Sequence, residues 1–361
     1  MARPHTPRLL NLDLLRLLSA LMVLFFHYGF RMQISGEGGG IGFPELAPAA
    51  MWFDAGLLVF FTISGYVIAM SAEQRPPFEF AAGRLARLWP TFVLCATISA
   101  MVLTIEPLPT QPPPTLPQWL AHLFMISRVL GEPFLDGAYW TIVYEIVFYG
   151  WVFLFSALGL FSRHWRAIII AWLCLSAANE LFLHSGIIQK LLITEYSGFF
   201  AFGLCLYKLR HSARLSDFCV LTLAALWASS CVFITEPDFL QTYFIARPDL
   251  GLMLSGPLSL AAVVVAVFAP TLPLRPSLAI AVGGLTYPLY LLHQNIGYAV
   301  FAHFADRENR WMVLIILLCL VVLMSWAIAS LFEPRARKAM FTLCLRLREG
   351  LATQLAGGRR A

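Results

Sequence analysis

Leu9-Leu10-Asn11-Leu12-Asp13-Leu14-Leu15-Arg16-Leu17-Leu18-Ser19-Ala20-Leu21-Met22-Val23-Leu24-Phe25-Phe26-His27-Tyr28-Gly29-Phe30 decides how this chain folds. The run is long and apolar enough to span a bilayer, which takes about 20 residues. It nevertheless carries Asp13, Arg16 and His27. Ionisable groups at bilayer depth cost roughly 2.5–3.5 kcal/mol each or more, so three in one span need compensation. At about 100° per residue they fall within roughly 60° of one another on one helix face. Arg16 and His27 are then about 16 Å apart along the axis. The face reads as the wall of a reaction path, with a cation low in the membrane and a titratable base near the far side. A structural Asp13–Arg16 pair and a hydrogen-bonded core histidine form the plainer reading of the same residues.

Composition agrees with a polytopic membrane protein. Of the 361 residues, 59% are hydrophobic and 12% charged, and the mean hydropathy is +0.75. Soluble domains are nearer 45–50% apolar and about 25% charged. The seven cysteines form no CxxC pair or metal-ligand cluster, so they read as buried small hydrophobes, and no metal is expected. The first apolar run is too long for a cleavable signal, and nothing points to nucleic acid.

An all-α bundle of about ten spans is expected, near 9–30, 50–70, 86–105, 138–160, 165–183, 194–209, 215–234, 250–269, 278–301 and 311–332. With both termini cytoplasmic, 18 of the 25 Lys and Arg fall on the inner side, six on the outer, and Arg16 within a span. The transmembrane domain is expected over 1–335 and a basic cytoplasmic tail over 336–361. That tail reads either as an amphipathic helix on anionic lipid or as a solvated end. The longest outer connection, about 106–137, is proline-rich and should begin extended. Within it, Trp119 to Leu130 is too short to span and reads as interfacial or re-entrant.

Four further motifs carry possible chemistry. Phe60-Phe61-Thr62-Ile63-Ser64-Gly65-Tyr66 places a small pair where a helix or a ligand can approach the backbone. Arg84-Leu85-Ala86-Arg87-Leu88-Trp89-Pro90 presents two guanidinium forks at i and i+3, a match for phosphate or an ordinary positive-inside flank. The stretch opening Trp140-Thr141-Ile142-Val143-Tyr144-Glu145 puts a carboxylate among interfacial aromatics, at a depth near that of His27. Thr286-Tyr287-Pro288-Leu289-Tyr290-Leu291-Leu292-His293-Gln294 places His293 beside a proline-broken backbone, as packing or as site. Asp54, Glu180 and Glu195, at outer ends, are free to face water.

Taken together, these motifs resemble the acyltransferase-3 family of integral membrane acyltransferases, in order and over almost the whole chain. The resemblance implies transfer of an acyl group, often acetyl, from cytoplasmic acyl-CoA to a hydroxyl of a sugar or glycoconjugate. It carries the family's arginine–histidine pair onto Arg16 and His27, and associates Arg84 and Arg87 with the CoA side. Two departures stand out. Leu58 and Val59 replace a polar residue usual before the Phe-Phe, and Ile146 replaces the second of two adjacent acids. The fused extracytoplasmic hydrolase-like domain of some members is not expected here.

The expected catalytic set is therefore His27, Arg16 and Glu145, with His27 as general base or as the site of a covalent acyl intermediate. Arg84, Arg87, Ser64, Gly65 and Asp13 are expected on the substrates, as are Trp140, Tyr144 and His293. The expected partners are acyl-CoA as co-substrate without a resident cofactor, a glycan or glycolipid acceptor, and membrane lipid, in a bacterial inner membrane. A flippase for a lipid-linked sugar and an acyltransferase for a small-molecule sugar are the alternatives.

Overall fold

The computed structural model describes residues 10–272 and 276–357, the side chains of 276, 277, 279, 280 and 351–357 excepted. Leu9 and five arginines counted on the inner side (Arg3, Arg8, Arg275, Arg359 and Arg360) lie outside the described residues.

Among the described residues all regular structure is helical. In chain order, α1 (Leu10–Phe26) passes through a π-turn (His27–Arg31) into α2 (Met32–Ser35). Next come α3 (Ala47–Ala50), α4 (Ala55–Gln74), α5 (Pro77–Ile105) and α6 (Leu116–Leu123). A 3-10 turn (Gly137–Tyr139) leads into α7 (Trp140–Ala157), followed by α8 (Leu160–Ala178) and α9 (Gly186–Leu192). Then follow α10 (Ser197–His211), α11 (Leu215–Tyr243), α12 (Asp249–Phe268), α13 (Pro276–Leu292) and α14 (Gln294–Phe304). Last are α15 (Arg310–Ala327), a π-turn (Ile328–Phe332) and α16 (Glu333–Gly357).

Eight helical stretches among the described residues are long and apolar enough to cross a membrane. They show large apolar side chains outward, as α15 does with Met312, Ile315, Ile316, Leu320 and Leu323. Water would penalise that surface and lipid would not. The two expected spans that fall short have physical reasons. The sixth is α10, 15 residues long and about 22 Å at 1.5 Å per residue. It is buried continuously from Ser197 to Lys208, so protein surrounds it on every side. The ninth is interrupted at His293, between α13 and α14. Three cysteines correct the expectation of burial: Cys174, Cys219 and Cys319 are exposed, on outward faces of α8, α11 and α15.

The chain divides into two units, with α4, α8 and α13 each shared between them. The first comprises 1–36, 42–67 and 169–286. At its centre α4 and α10 come together at glycine. A Cβ on Gly65 would overlap the Phe200 carbonyl oxygen, and one on Gly203 would overlap that of Thr62. Gly65 therefore serves close helix packing. The α11–α12 connection is anchored by Arg247, which bridges Asp54 and Glu236. The other outer acids are also engaged: Glu180 accepts from Asn179 and Thr194, and Glu195 accepts from Gln189 at 2.8 Å.

The second unit comprises 37–41, 68–168 and 287–361 and is built around α5. Helices α6, α7, α14 and α16 all pack on α5. The first half of the outer connection is non-helical, as its prolines require. It then turns into α6 through a Thr115–Gln118 capping box. Trp119 Nε1 donates to Thr97 Oγ1 at 3.1 Å, and Trp89 Nε1 donates to the Leu123 carbonyl at 2.8 Å, which lays α6 along α5. The basic C-terminal stretch is helical through Gly357, and Arg348 stacks over the Phe78 ring at 5.1 Å.

Candidate functional site

Helix α1 is regular through Phe26, so the spacing that aligns Asp13, Arg16 and His27 survives folding. Asp13 and Arg16 are half-buried, and His27 is buried. The helix widens at His27 itself: the His27 carbonyl accepts from the Met32 N–H, five residues on. Single π-turns inside α-helices mark functional sites disproportionately, because the extra residue re-aims the side chains around it. The Phe26 ring meets the His27 ring edge-on at 5.4 Å. Phe26 and Phe30 in turn pack with Phe239 and Tyr243 of α11. The imidazole thus sits on an apolar, aromatic support in the first unit. Ser64 and Gly65 belong to that unit as well, both buried in α4.

The second unit brings the other residues together. Arg84 and Arg87, one turn apart on α5, are both half-buried. The Arg84 guanidinium lies 5.9 Å from the Phe80 ring centroid and 5.8 Å from that of Tyr149. Tyr149 donates to Glu145 at 2.6 Å and feels the charges of Glu145, Arg84 and Arg87. Tyr149 is therefore the shared neighbour of the expected carboxylate and the expected phosphate clamp, which places Glu145 on the arginine side of α7. Trp140 and Tyr144, one turn apart, meet edge-on at 5.3 Å. Helix α16 adds two groups absent from the expected set. Glu333 and Arg337 interact electrostatically with Arg87, and Arg337 does so with Arg75. Sequence reading assigned Arg337 to the tail, because nothing local says that α16 folds back on α5.

A buried polar knot lies beyond these residues in the same unit. His122 is 1% exposed. Its Nδ1 lies 2.7 Å from the Gln118 carbonyl, and its Nε2 lies 3.1 Å from the Leu135 amide. A carbonyl only accepts and an amide N–H only donates, so the ring is neutral with its proton on Nδ1. Asp136 is fully buried and accepts from the Ala138 and Asn295 amides, each at 2.8 Å. Asn295 donates through Nδ2 to the Leu135 carbonyl at 2.9 Å. Thr141 and Tyr290 share a 2.8 Å hydrogen bond, and His293 Nδ1 donates to the Tyr290 carbonyl at 2.7 Å. His293 is thus tied into the break between α13 and α14. Sequence reading quoted Gln294 at the end of the His293 motif and did not single out Asp136 or Asn295, whose partners lie far away in the chain. No metal-holding group of three His, Cys, Asp or Glu is found among the described residues.

The His122 geometry sets a pH dependence. Burial holds its pKa below the ordinary histidine value of about 6.5. The unfolded chain then takes up the proton first, so His122's contribution to stability is complete above about pH 6.5 and falls as pH drops towards the lower folded pKa. Proteolysis of the 124–135 loop is expected to accelerate between pH 7.5 and 5. A His122→Gln variant is expected to lose that acceleration, as read by cleavage rates on gels.

No curated protein and no solved structure matches the chain. The sequence profile of the acyltransferase-3 family, described as an acyltransferase domain, matches residues 9–330. That match takes in the polar face of α1, the paired arginines of α5, the Glu145 stretch of α7 and the break at His293. This chain is a multi-pass integral membrane protein of the acyltransferase-3 family, an acyltransferase.

Proposed function

We propose that the enzyme moves an acyl group, acetyl by preference, from cytoplasmic acyl-CoA to a hydroxyl of a cell-surface polysaccharide or glycolipid. Its place is a bacterial inner membrane, with both termini on the cytoplasmic side. The observation that carries the acyl-CoA assignment is the cluster of Arg84, Arg87, Arg75 and Arg337 around α5 and α16, in which like charges are held near one another. Guanidinium forks match phosphate oxygens bidentately, and CoA carries a diphosphate and a 3′-phosphate. His27 takes the proton of the acceptor hydroxyl. The oxygen attacks the thioester carbonyl, the carbon–sulfur bond breaks, and the CoA sulfur leaves as the thiol with that proton. Arg16 supplies positive charge on the same helix face, and Glu145 acts through Tyr149 on the side of the paired arginines. The acceptor is read from Trp140 and Tyr144, an edge-on aromatic pair of the kind that packs against sugar rings. No resident cofactor takes part.

The test is incorporation of label from radiolabelled acetyl-CoA into the glycan fraction of membranes carrying the protein. Wild type is expected to label the fraction. Arg84→Ala and Arg87→Ala are each expected to raise the KM for acetyl-CoA about tenfold or more, the size of a lost charge-assisted hydrogen bond. Movement of glycan across the membrane without acetyl-CoA consumption would overturn the reading in favour of a flippase.

A further inference from the structure

The motif from Thr286 to Gln294 takes no part in the reaction above, and its last side chain stands out. Gln294 opens α14, is 1% exposed, and has neither its Nε2 nor its Oε1 hydrogen-bonded. Its neighbour Asn295 is also 1% exposed, and its Oδ1 is likewise without a partner. The Gln294 amide lies directly on Gly137, where a Cβ would overlap Nε2. Glycine at that position therefore makes room for the amide.

None of the surrounding groups among the described residues hydrogen-bonds it. Both Asp136 carboxylate oxygens accept backbone amides, and Asn295 Nδ2 is committed to Leu135. A buried amide left unpaired costs its full desolvation, while an apolar isostere of the same shape costs nothing of the kind. What remains open is one NH2 donor and two carbonyl acceptors. A hydroxyl answers both needs, since it accepts from Nε2 and donates to Oε1. A second hydroxyl donates to Asn295 Oδ1. A thioester carbonyl or a phosphate oxygen only accepts, and would face both amide oxygens with lone pairs.

We propose that Gln294, with the Asn295 carbonyl, binds neighbouring hydroxyls of the saccharide acceptor and so selects which sugar is acylated. The inference rests on the glycan reading above and deepens it. Gln294 touches substrate and moves no proton, and His293 holds the helix break that presents it.

The experiment uses the purified full chain in detergent with acetyl-CoA. The acceptors are a panel of methyl hexosides and their monodeoxy counterparts. For Gln294→Met, the KM for the best hexoside is expected to rise about tenfold or more, with the KM for acetyl-CoA unchanged. The wild-type preference for that hexoside over the monodeoxy compound lacking the recognised hydroxyl is expected to disappear. The thermal midpoint is expected to hold or rise, because two unpaired polar groups leave the interior. Gly137→Ala, which displaces the amide without removing it, is expected to give the same kinetic pattern and guards against misfolding of the first variant. Unchanged hexoside KM and unchanged discrimination in both variants would overturn the inference, leaving Gln294 on a buried water. A wild type that acetylates none of the hexosides yet labels a non-saccharide hydroxyl would overturn the glycan reading itself, which is a distinguishable result.

Discussion

Alanine in place of His27 is expected to lower acyl transfer by about 10²–10⁴-fold, the contribution of a positioned general base. The protein itself should persist at wild-type levels. Its imidazole packs against the edge of Phe26, and the aromatic cluster of Phe26, Phe30, Phe239 and Tyr243 remains intact without it. The π-turn that starts at His27 is held by backbone bonds, among them Met32 N–H to the His27 carbonyl, which alanine keeps. The loss should therefore appear in turnover and not in the amount of folded enzyme. The measurement is label transferred from acetyl-CoA at matched membrane expression, with the thermal midpoint recorded in parallel. Equal transfer by both proteins would remove His27 from the mechanism. A variant that loses transfer and folded protein together would reassign it to structure. Arg16→Ala separates the two halves of the polar face. Arg16 lies about 16 Å along the axis from His27 and acts by charge, so the same assay should show a loss smaller than that of His27→Ala.

Arg247→Ala is expected to destabilise the first unit by about 3–5 kcal/mol, the usual result of removing one partner from a buried ion pair. The side chain is 5% exposed. Nη1 donates to Asp54 at 2.8 Å, Nη2 to Glu236 at 2.7 Å and Nε to Glu236 at 2.8 Å. The guanidinium carbon stands 3.8 Å from the Phe239 ring centroid and 5.4 Å from that of Trp52. Alanine leaves two carboxylates facing each other with no cation between them, and strips the aromatic faces of their charge partner. Lysine keeps the charge, yet a single ammonium cannot reproduce the forked contacts, so Arg247→Lys should fall between the two. Thermal unfolding in detergent reads the series. An Arg247→Ala midpoint equal to wild type would show that the cluster contributes nothing net. Because Arg247 closes the α11–α12 connection against the start of α4, the loss should appear as a stability change before any change in acyl-CoA affinity.

These two residues differ in how visible they were. His27 could be found from the chain alone, because a titratable ring in an apolar run is costly and its spacing from Arg16 is a helix period. Arg247 counted only as an outer-loop cation, and Asp54 only as an acid free to face water. They lie 193 residues apart, and no local rule pairs them. The same division runs through the site. Arg84 and Arg87 announce themselves by i, i+3 spacing, whereas Arg337 joins them only because α16 packs on α5. Glu145 was legible as a carboxylate among aromatics, but its partner Tyr149 sets which side of α7 it serves.

The amino-acid sequence by itself determined that this is a helical membrane protein with a polar face on its first helix, since hydrophobic period and the cost of buried charge are local quantities. It also determined where a helix could not run on, as in the first half of the proline-rich outer connection. Only the tertiary structure decided that α10 is enclosed by protein, that Gly65 and Gly203 let α4 and α10 touch, and that His122, Asp136 and Asn295 close one polar knot. Those outcomes depend on which surfaces meet. Van der Waals overlap and hydrogen-bond satisfaction are properties of pairs of atoms distant in the chain, and they exist only once the helices have packed.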